Sequence, residues 1–398
     1  QRREIMPTWN VLATLRGTEA PEQEIILGSH HDAWCCGAVD PTCGLICVLE
    51  AAQAFVDSGF RPKRSITFAA WGAEEFGIIG SSEWVEANEQ RLRDNAVAYF
   101  NLDAAVTGPR FGASASPSLQ RLIAEVAGAV NAVDENDADG ASTSRTVLDE
   151  WRSRSQHSVI SELPAIGDLG GGSDFVAFLA RAGIPSANLS AGGSAGTAYH
   201  GNNDTLAWYR KVVGDDYQPA RMVTQITALL AARLADSPLL PLDPVMVGVE
   251  TQRHLSTLTD RGRAIGFFDA STQEIASELQ LIESAARAVQ LRAQSISAKL
   301  TAAEQQGHLD DTALDQANAL LLALDRTWLD SMGLQERPWF GNLFAAPDED
   351  SGYASWMLPA LRWVIERNKP QALPEVEARY LAVFTRMNSL LDELATLL

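Results

Sequence analysis

The chain has 398 residues, more than one hydrophobic core ordinarily serves, so two domains are expected. Hydrophobic residues make up 46% and charged ones 21%, an ordinary globular composition. Against 51 Asp and Glu stand only 31 Lys and Arg, a net charge of −20, and no basic run or stripe offers the footprint that a nucleic acid needs.

No stretch approaches the roughly 18 apolar residues of a membrane span, and no signal-peptide pattern opens the chain. Gln stands at position 1, as in a processed or excised piece. Residues 9–17 (WNVLATLRG) and 24–30 (EIILGSH) read as strands, rich in β-branched and apolar residues. Residues 43–59 carry apolar side chains at helical spacing and stop at Gly59. Two short apolar strands follow, 65–71 and 97–103, each leading into acidic residues. The spacing predicts helices over 116–133 and 174–183, a buried strand over 184–191 and a helix over 204–213 with Asp204 as its N-cap. Strands alternating with helices imply an α/β domain, its mostly parallel sheet flanked by helices. Three prolines in "DSPLLPLDP", residues 236–244, end that pattern. Beyond them Ile275, Leu279, Ile282, Ala286, Val289, Ala293 and Ile296 step by four and three, the seam of a helix packed lengthwise on others. Residues 314–330 and 380–398 are its expected neighbours, and an aromatic loop, 337–356, interrupts this all-α bundle. The division expected is 1–237 and 238–398.

In open parallel sheets ligands gather at the carboxyl ends of the strands. There the sequence sets His30 and Asp32, then Glu74 and Glu75, then Asp103; Asp40 opens a helix and His200 precedes "GNNDT". Imidazole and carboxylate suit zinc and other first-row divalent ions. Two imidazoles and several carboxylates exceed one four-coordinate site and suit two metals sharing a carboxylate and a water. A nearby carboxylate free of the metals is then needed to take the proton of the water, and the pair Glu74–Glu75 can supply both a ligand and this base. His31 adjoins His30 on a strand and should point away. His157, His254 and His308 read as ordinary surface or core residues. Cys35, Cys36, Cys43 and Cys47 are too close together for a disulfide framework and lack paired Cys-x-x-Cys spacing. Cys43 and Cys47, four apart on a helix, read as small buried hydrophobes.

"GSHHDAW", "GAVDPTCG", "WGAEEFGIIGSSEW", "YFNLDAA", "LGGGSDF" and "AYHGNNDT" together resemble the zinc peptidases of the glutamate carboxypeptidase and transferrin receptor family, in order from about residue 9 to the C-terminus. The resemblance implies a zinc exopeptidase fold followed by a helical dimerisation-like domain, a homodimer, short peptide substrates and two zinc ions per chain. His30 and Asp103 would hold one zinc, Glu75 and His200 the other, and Asp40 would bridge them. Glu74 would be the general base, Tyr199 would offer its hydroxyl to the oxyanion, and Asp32 would orient His30. Gly170, Gly171, Gly172 and Ser173 would line the substrate pocket, with Tyr353 at its edge. Glu83 and Glu86 match one half of a family calcium site. Relatives are mostly extracellular or membrane-tethered.

Three departures stand out. The chain begins where the relatives re-enter their protease domain after a large inserted apical domain. The segment expected to carry an arginine patch, 186–196, has no arginine, and Gly352 replaces a lysine that holds a terminal glutamate. A dicarboxylate needs a cationic clamp, so a neutral or apolar substrate side chain is expected. Two competing functions share the framework: a binding protein of the transferrin receptor kind without catalysis, and an amidohydrolase acting on a non-peptide amide. The presence of all five ligands and the base favours catalysis.

Overall fold

A computed structural model of the chain describes residues 4–133, 145–155, 160, 162–268, 273–306 and 309–398; His157 and His308 lie outside them. Six strands form one mixed sheet: β1 (Val11–Leu15), β2 (Ala20–His30), β3 (Arg64–Trp71), β4 (Ala96–Asn101), β5 (Arg110–Ala115) and β6 (Ser186–Gly192), in the order β1-β3-β2-β4-β6-β5. The four inner strands are parallel, and β1 and β5 close the edges antiparallel. β5 is absent from the sequence reading because "RFGASA" is mostly small residues with little strand character. Every residue of β4 and the last seven of β2 are buried, as in strands covered on both faces.

The covering helices are α1 (Cys43–Ser58), α2 (Ile79–Ala87), α3 (Glu89–Asn95), α4 (Gln120–Ala127), α5 (Val147–Arg154), α6 (Phe175–Ala180), α7 (Leu206–Val212) and α8 (Gln218–Asp236). α1 and α8 pack on β2 and β3, and α3 and α6 on β4. α4 ends at Ala127, short of the expected 133, because beyond Gly128 the backbone turns so that Val130 accepts from Val147 N. Cys43 and Cys47 are buried in α1, as expected. By length and mean hydropathy alone, residues 38–58 would suffice to cross a membrane, but half of that window is buried in the fold.

The helical region comprises α9 (Pro244–Ala264), α10 (Gln273–Gln306), α11 (Asp311–Arg326), α12 (Pro359–Glu366) and α13 (Leu373–Thr396), with a hairpin of β7 (Ala345–Pro347) and β8 (Ser355–Met357). From Leu279 to Ile296 the expected seam of α10 is buried. Its main partners are α9 and α13, and α11 packs instead on α13. One hydrophobic cluster runs unbroken from the sheet into these helices.

Candidate metal centre

The chain leaves β2 toward β3 on one side and returns to β4 on the other, so the carboxyl end of β2 is a switch point where a crevice opens. His30 ends β2 opposite Trp71, the last residue of β3, and Glu74 and Glu75 follow in the next turn. Beyond β4, Leu102 N donates to Gly28 O and carries Asp103 alongside His30. Asp40 sits in the wide turn Ala38–Thr42 that starts α1, extended (φ −117, ψ 99) and followed by a cis bond to Pro41. His200 comes from the loop after β6 in a left-handed conformation (φ 51).

These side chains converge. His30 Nε2 lies 3.0 Å from Asp103 Oδ1 and 3.1 Å from Asp40 Oδ1. His200 Nε2 lies 2.8 Å from the other Asp40 oxygen and 3.1 Å from Glu75 Oε2. Asp40 therefore faces one imidazole with each oxygen. A ring nitrogen carries at most one proton, so neither can satisfy both of its carboxylates; buried Asp40 Oδ1 and Glu75 Oε1 accept no hydrogen bond. Two nitrogens and several carboxylates aimed at one another fit a cation among them, and the donor set suits zinc. Glu74 Oε2 is 3.9 Å from His30 Nε2, near the centre but beyond hydrogen-bond reach. Burial, with Asp103, Asp174 and Glu75 close by, raises its carboxyl to about 9 against the pull of His30. Burial likewise raises Asp103, but the bonds from His30 and Ser173 outweigh it and hold that carboxyl below its usual range.

Asp32 was expected to orient His30, and it meets that ring mainly through its main chain. His30 Nδ1 donates to the main-chain oxygen of Asp32 at 3.0 Å, whereas the carboxylate is 3.6 Å away. That bond occupies Nδ1 and turns Nε2 toward Asp40 and Asp103. The carboxylate instead accepts from the backbone of Glu74 at 3.0 Å and Glu75 at 3.2 Å, fixing the turn that carries them. His31 points away and bonds Trp9 O at 2.8 Å, as alternation along a strand requires.

Ser173, expected to line the pocket, does border the cavity and also touches a carboxylate of the centre. Only 4% exposed, it donates its hydroxyl to Asp103 Oδ2 at 2.6 Å. Behind it, Asn101 Nδ2 donates to Ser173 Oγ and to Asn188 Oδ1, Tyr99 OH donates to Asn101 Oδ1, and Trp71 Nε1 donates to Tyr99 OH. Every donor in this chain is committed, from the core to Asp103. Gly28 is required beneath it, since a Cβ there would meet Tyr99 OH at 2.4 Å. Sequence reasoning missed this chain and also the part of Asp204. Thr205, not Asp204, caps α7. The Asp204 carboxylate accepts from Val39 N at 2.7 Å and Asp40 N at 3.1 Å, tying the His200 loop to the Asp40 turn.

Beside the centre, Asp103, the glycine run, Ser173, Tyr199 and Tyr353 border a cavity of about 370 Å³. Gly171 and Gly172 admit the neighbouring loop: a Cβ on Gly171 would meet Gly352 O at 2.0 Å, and one on Gly172 the Tyr353 ring at 2.4 Å. Gly171 N donates to Tyr353 O, so that amide is already engaged. The loop is wound about Asp348, which accepts from the backbone of Ser351, Tyr353 and Ala354 and leaves Tyr353 exposed. Tyr199 is 59% exposed and stacks on His200 with centroids 3.7 Å apart. Glu83 and Glu86 are exposed on α2, with the Trp339 indole donating to Glu86. Among the described residues no further histidine, cysteine or acidic residue joins them in a metal-binding group.

A mixed α/β sheet with imidazoles and carboxylates gathered at its switch point is an arrangement suited to holding a metal ion. A profile described as Peptidase family M28 matches residues 10–212, and one described as Transferrin receptor-like dimerisation domain matches residues 270–390. The chain belongs to peptidase family M28 and so to the metallopeptidases. It is 33% identical over 363 residues to a probable glutamate carboxypeptidase of Arabidopsis thaliana, covering 90% of this chain and 49% of that protein. It is 28% identical over 365 residues to the aminopeptidase NAALADL1 of Rattus norvegicus, covering 88% and 47%. The chain thus spans about half the length of these relatives. A zinc aminopeptidase structure from Bacillus subtilis overlays 57% of this chain and 50% of its own, at 19% identity and a TM-score of 0.42.

Proposed function

We propose that this chain is the catalytic part of an exopeptidase that uses two zinc ions to hydrolyse short peptides. The observation that carries this is the convergence of His30, Asp40, Glu75, Asp103 and His200, with each oxygen of Asp40 facing a different imidazole. His30 and Asp103 would hold one ion, His200 and Glu75 the other, with Asp40 between the two imidazoles available to both. The ions, when bound, polarise the scissile carbonyl and acidify the attacking water. Glu74, which bonds neither imidazole, takes the proton of that water and returns it to the leaving amine. Asp32 holds Glu74 in place through its amide, and Tyr199 donates its hydroxyl to the oxygen on which charge develops. The pocket beside the centre, bordered by Gly171, Gly172, Ser173 and Tyr353, takes a substrate residue that is not acidic.

We further propose that residues 1–237 form the peptidase unit and residues 238–398 the dimerisation unit of a homodimer, a reading supported by the profile match in the helical region. The test is zinc content by elemental analysis with hydrolysis of a panel of blocked and unblocked dipeptides. Two zinc ions and cleavage only of substrates with one free end are expected. Glu74→Gln should abolish turnover with both ions retained; full activity in that variant removes Glu74 from the reaction.

A further inference from the structure

The cavity beside the metal centre is lined by hydrogen-bonding groups that include Ser114, Asp168, Asn188 and Ser190, and among the described lining residues there is no lysine or arginine. Its one carboxylate outside the metal centre is Asp168, whose side chain is 26% exposed. A cation reaches Asp168 without lining the cavity. Arg253 of α9 donates from Nη2 to Asp168 Oδ1 at 2.6 Å and from Nε to Glu250 Oε2 at 2.6 Å. His254 Nε2 lies 3.2 Å from the same Asp168 oxygen. Asp168, Glu250 and His254 are close enough to share a metal, but the guanidinium already bonds both carboxylates. The group is a masked cation rather than a metal site.

We infer that Asp168 is a specificity-determining residue: by lining the pocket while engaging Arg253, it excludes acidic side chains and favours neutral, hydrogen-bonding ones. This rests on the peptidase reading and adds the side-chain class that its pocket selects. An acidic side chain would meet a like charge with no free cation to answer it. A basic one would find Asp168 already shared with Arg253 and would approach that guanidinium. An amide or hydroxyl meets neither penalty. Asn188 Oδ1 is occupied by Asn101, so the amide hydrogens of Asn188 remain to be donated, beside the hydroxyls of Ser114 and Ser190.

The test uses the zinc-loaded full chain and dipeptides that differ only as Glu, Gln or Lys, with that residue placed in turn on either side of the scissile bond. The wild type should favour Gln over Glu by at least about tenfold in kcat/KM, which is about 1.4 kcal/mol. Asp168→Asn removes the like charge from the pocket, with Arg253 still paired to Glu250, and should move the Glu-to-Gln ratio toward Glu by about tenfold, mainly through KM. Arg253→Gln leaves Asp168 unmasked and should move the Lys-to-Gln ratio toward Lys; it decides the matter should Asp168→Asn fail to fold. If Gln substrates are cleaved and neither ratio moves by more than about twofold, Asp168 does not set specificity. If no dipeptide is cleaved by the wild type, the peptidase reading falls and this inference with it.

Discussion

Replacing Ser173 by alanine separates two roles for one hydroxyl. A residue that lines the pocket to touch substrate should, when truncated, raise KM and leave metal affinity alone. A residue that holds a ligand should do the reverse. The hydroxyl is buried, lies 2.6 Å from Asp103 Oδ2 and accepts from Asn101 Nδ2 at 2.8 Å, which assigns it the second role. A hydrogen bond to a charged acceptor contributes roughly 1.5–3 kcal/mol. At about 1.4 kcal/mol per tenfold, that is roughly 10–100-fold in affinity, the range typical of partners that orient a metal ligand. Competition with a chromophoric chelator should therefore show one zinc bound about 10–100-fold more weakly in Ser173→Ala, with KM nearly unchanged once zinc is saturating. The freed amide hydrogen of Asn101 is left buried without an acceptor and should cost a further ~1–3 kcal/mol of folding stability in urea. Wild-type zinc affinity in the variant, together with a tenfold rise in KM, would refute the reasoning and return Ser173 to the substrate.

The bridging place of Asp40 predicts that Asp40→Ala loses both ions, read as zinc per chain after dialysis; retention of two would remove the bridge. Asp204→Ala frees the backbone amides of Val39 and Asp40, so zinc affinity should fall although no ligand is touched, again measurable by chelator competition. Asp325, buried on α11 with Ser118 Oγ donating to it, is raised by burial to about 6. An unfolded Asp titrates near 3.9, so between these values the folded chain binds a proton that the unfolded chain has released. Stability due to this group is therefore highest below about pH 4, declines as pH rises toward 6, and stays lower at pH 7 by roughly 2–3 kcal/mol. Asp325→Asn should remove that slope and stabilise the protein at pH 7 in urea unfolding; an unchanged slope would show that the carboxyl is not perturbed.

The gathering of the centre is legible in the sequence because strand ends are. Apolar runs such as "EIILGSH" and "VAYFNLD" mark where a parallel strand stops, and in this fold class polar residues at those stops share one rim. Alternation along a strand likewise separates His30 from His31, whose ring bonds Trp9 O outside the centre. What holds the rim leaves no such trace. Asp204 binds the amide of Val39 across 165 residues of sequence, and Ser173 binds Asp103 across 70. Neither bond has a period, and each residue has a local part that reads equally well, a helix cap for Asp204 and a pocket wall for Ser173. The same limit applies in the helical region. The seam of α10 follows from its spacing, but spacing states only that a partner exists, and the geometry chose α9 over α11. Periodic signals report the solvent and the sheet, which every residue in an element senses. A hydrogen bond between distant loops is sensed by two residues alone, and it is such bonds that fix which oxygen of Asp103 faces His30 and where the Asp40 turn is held.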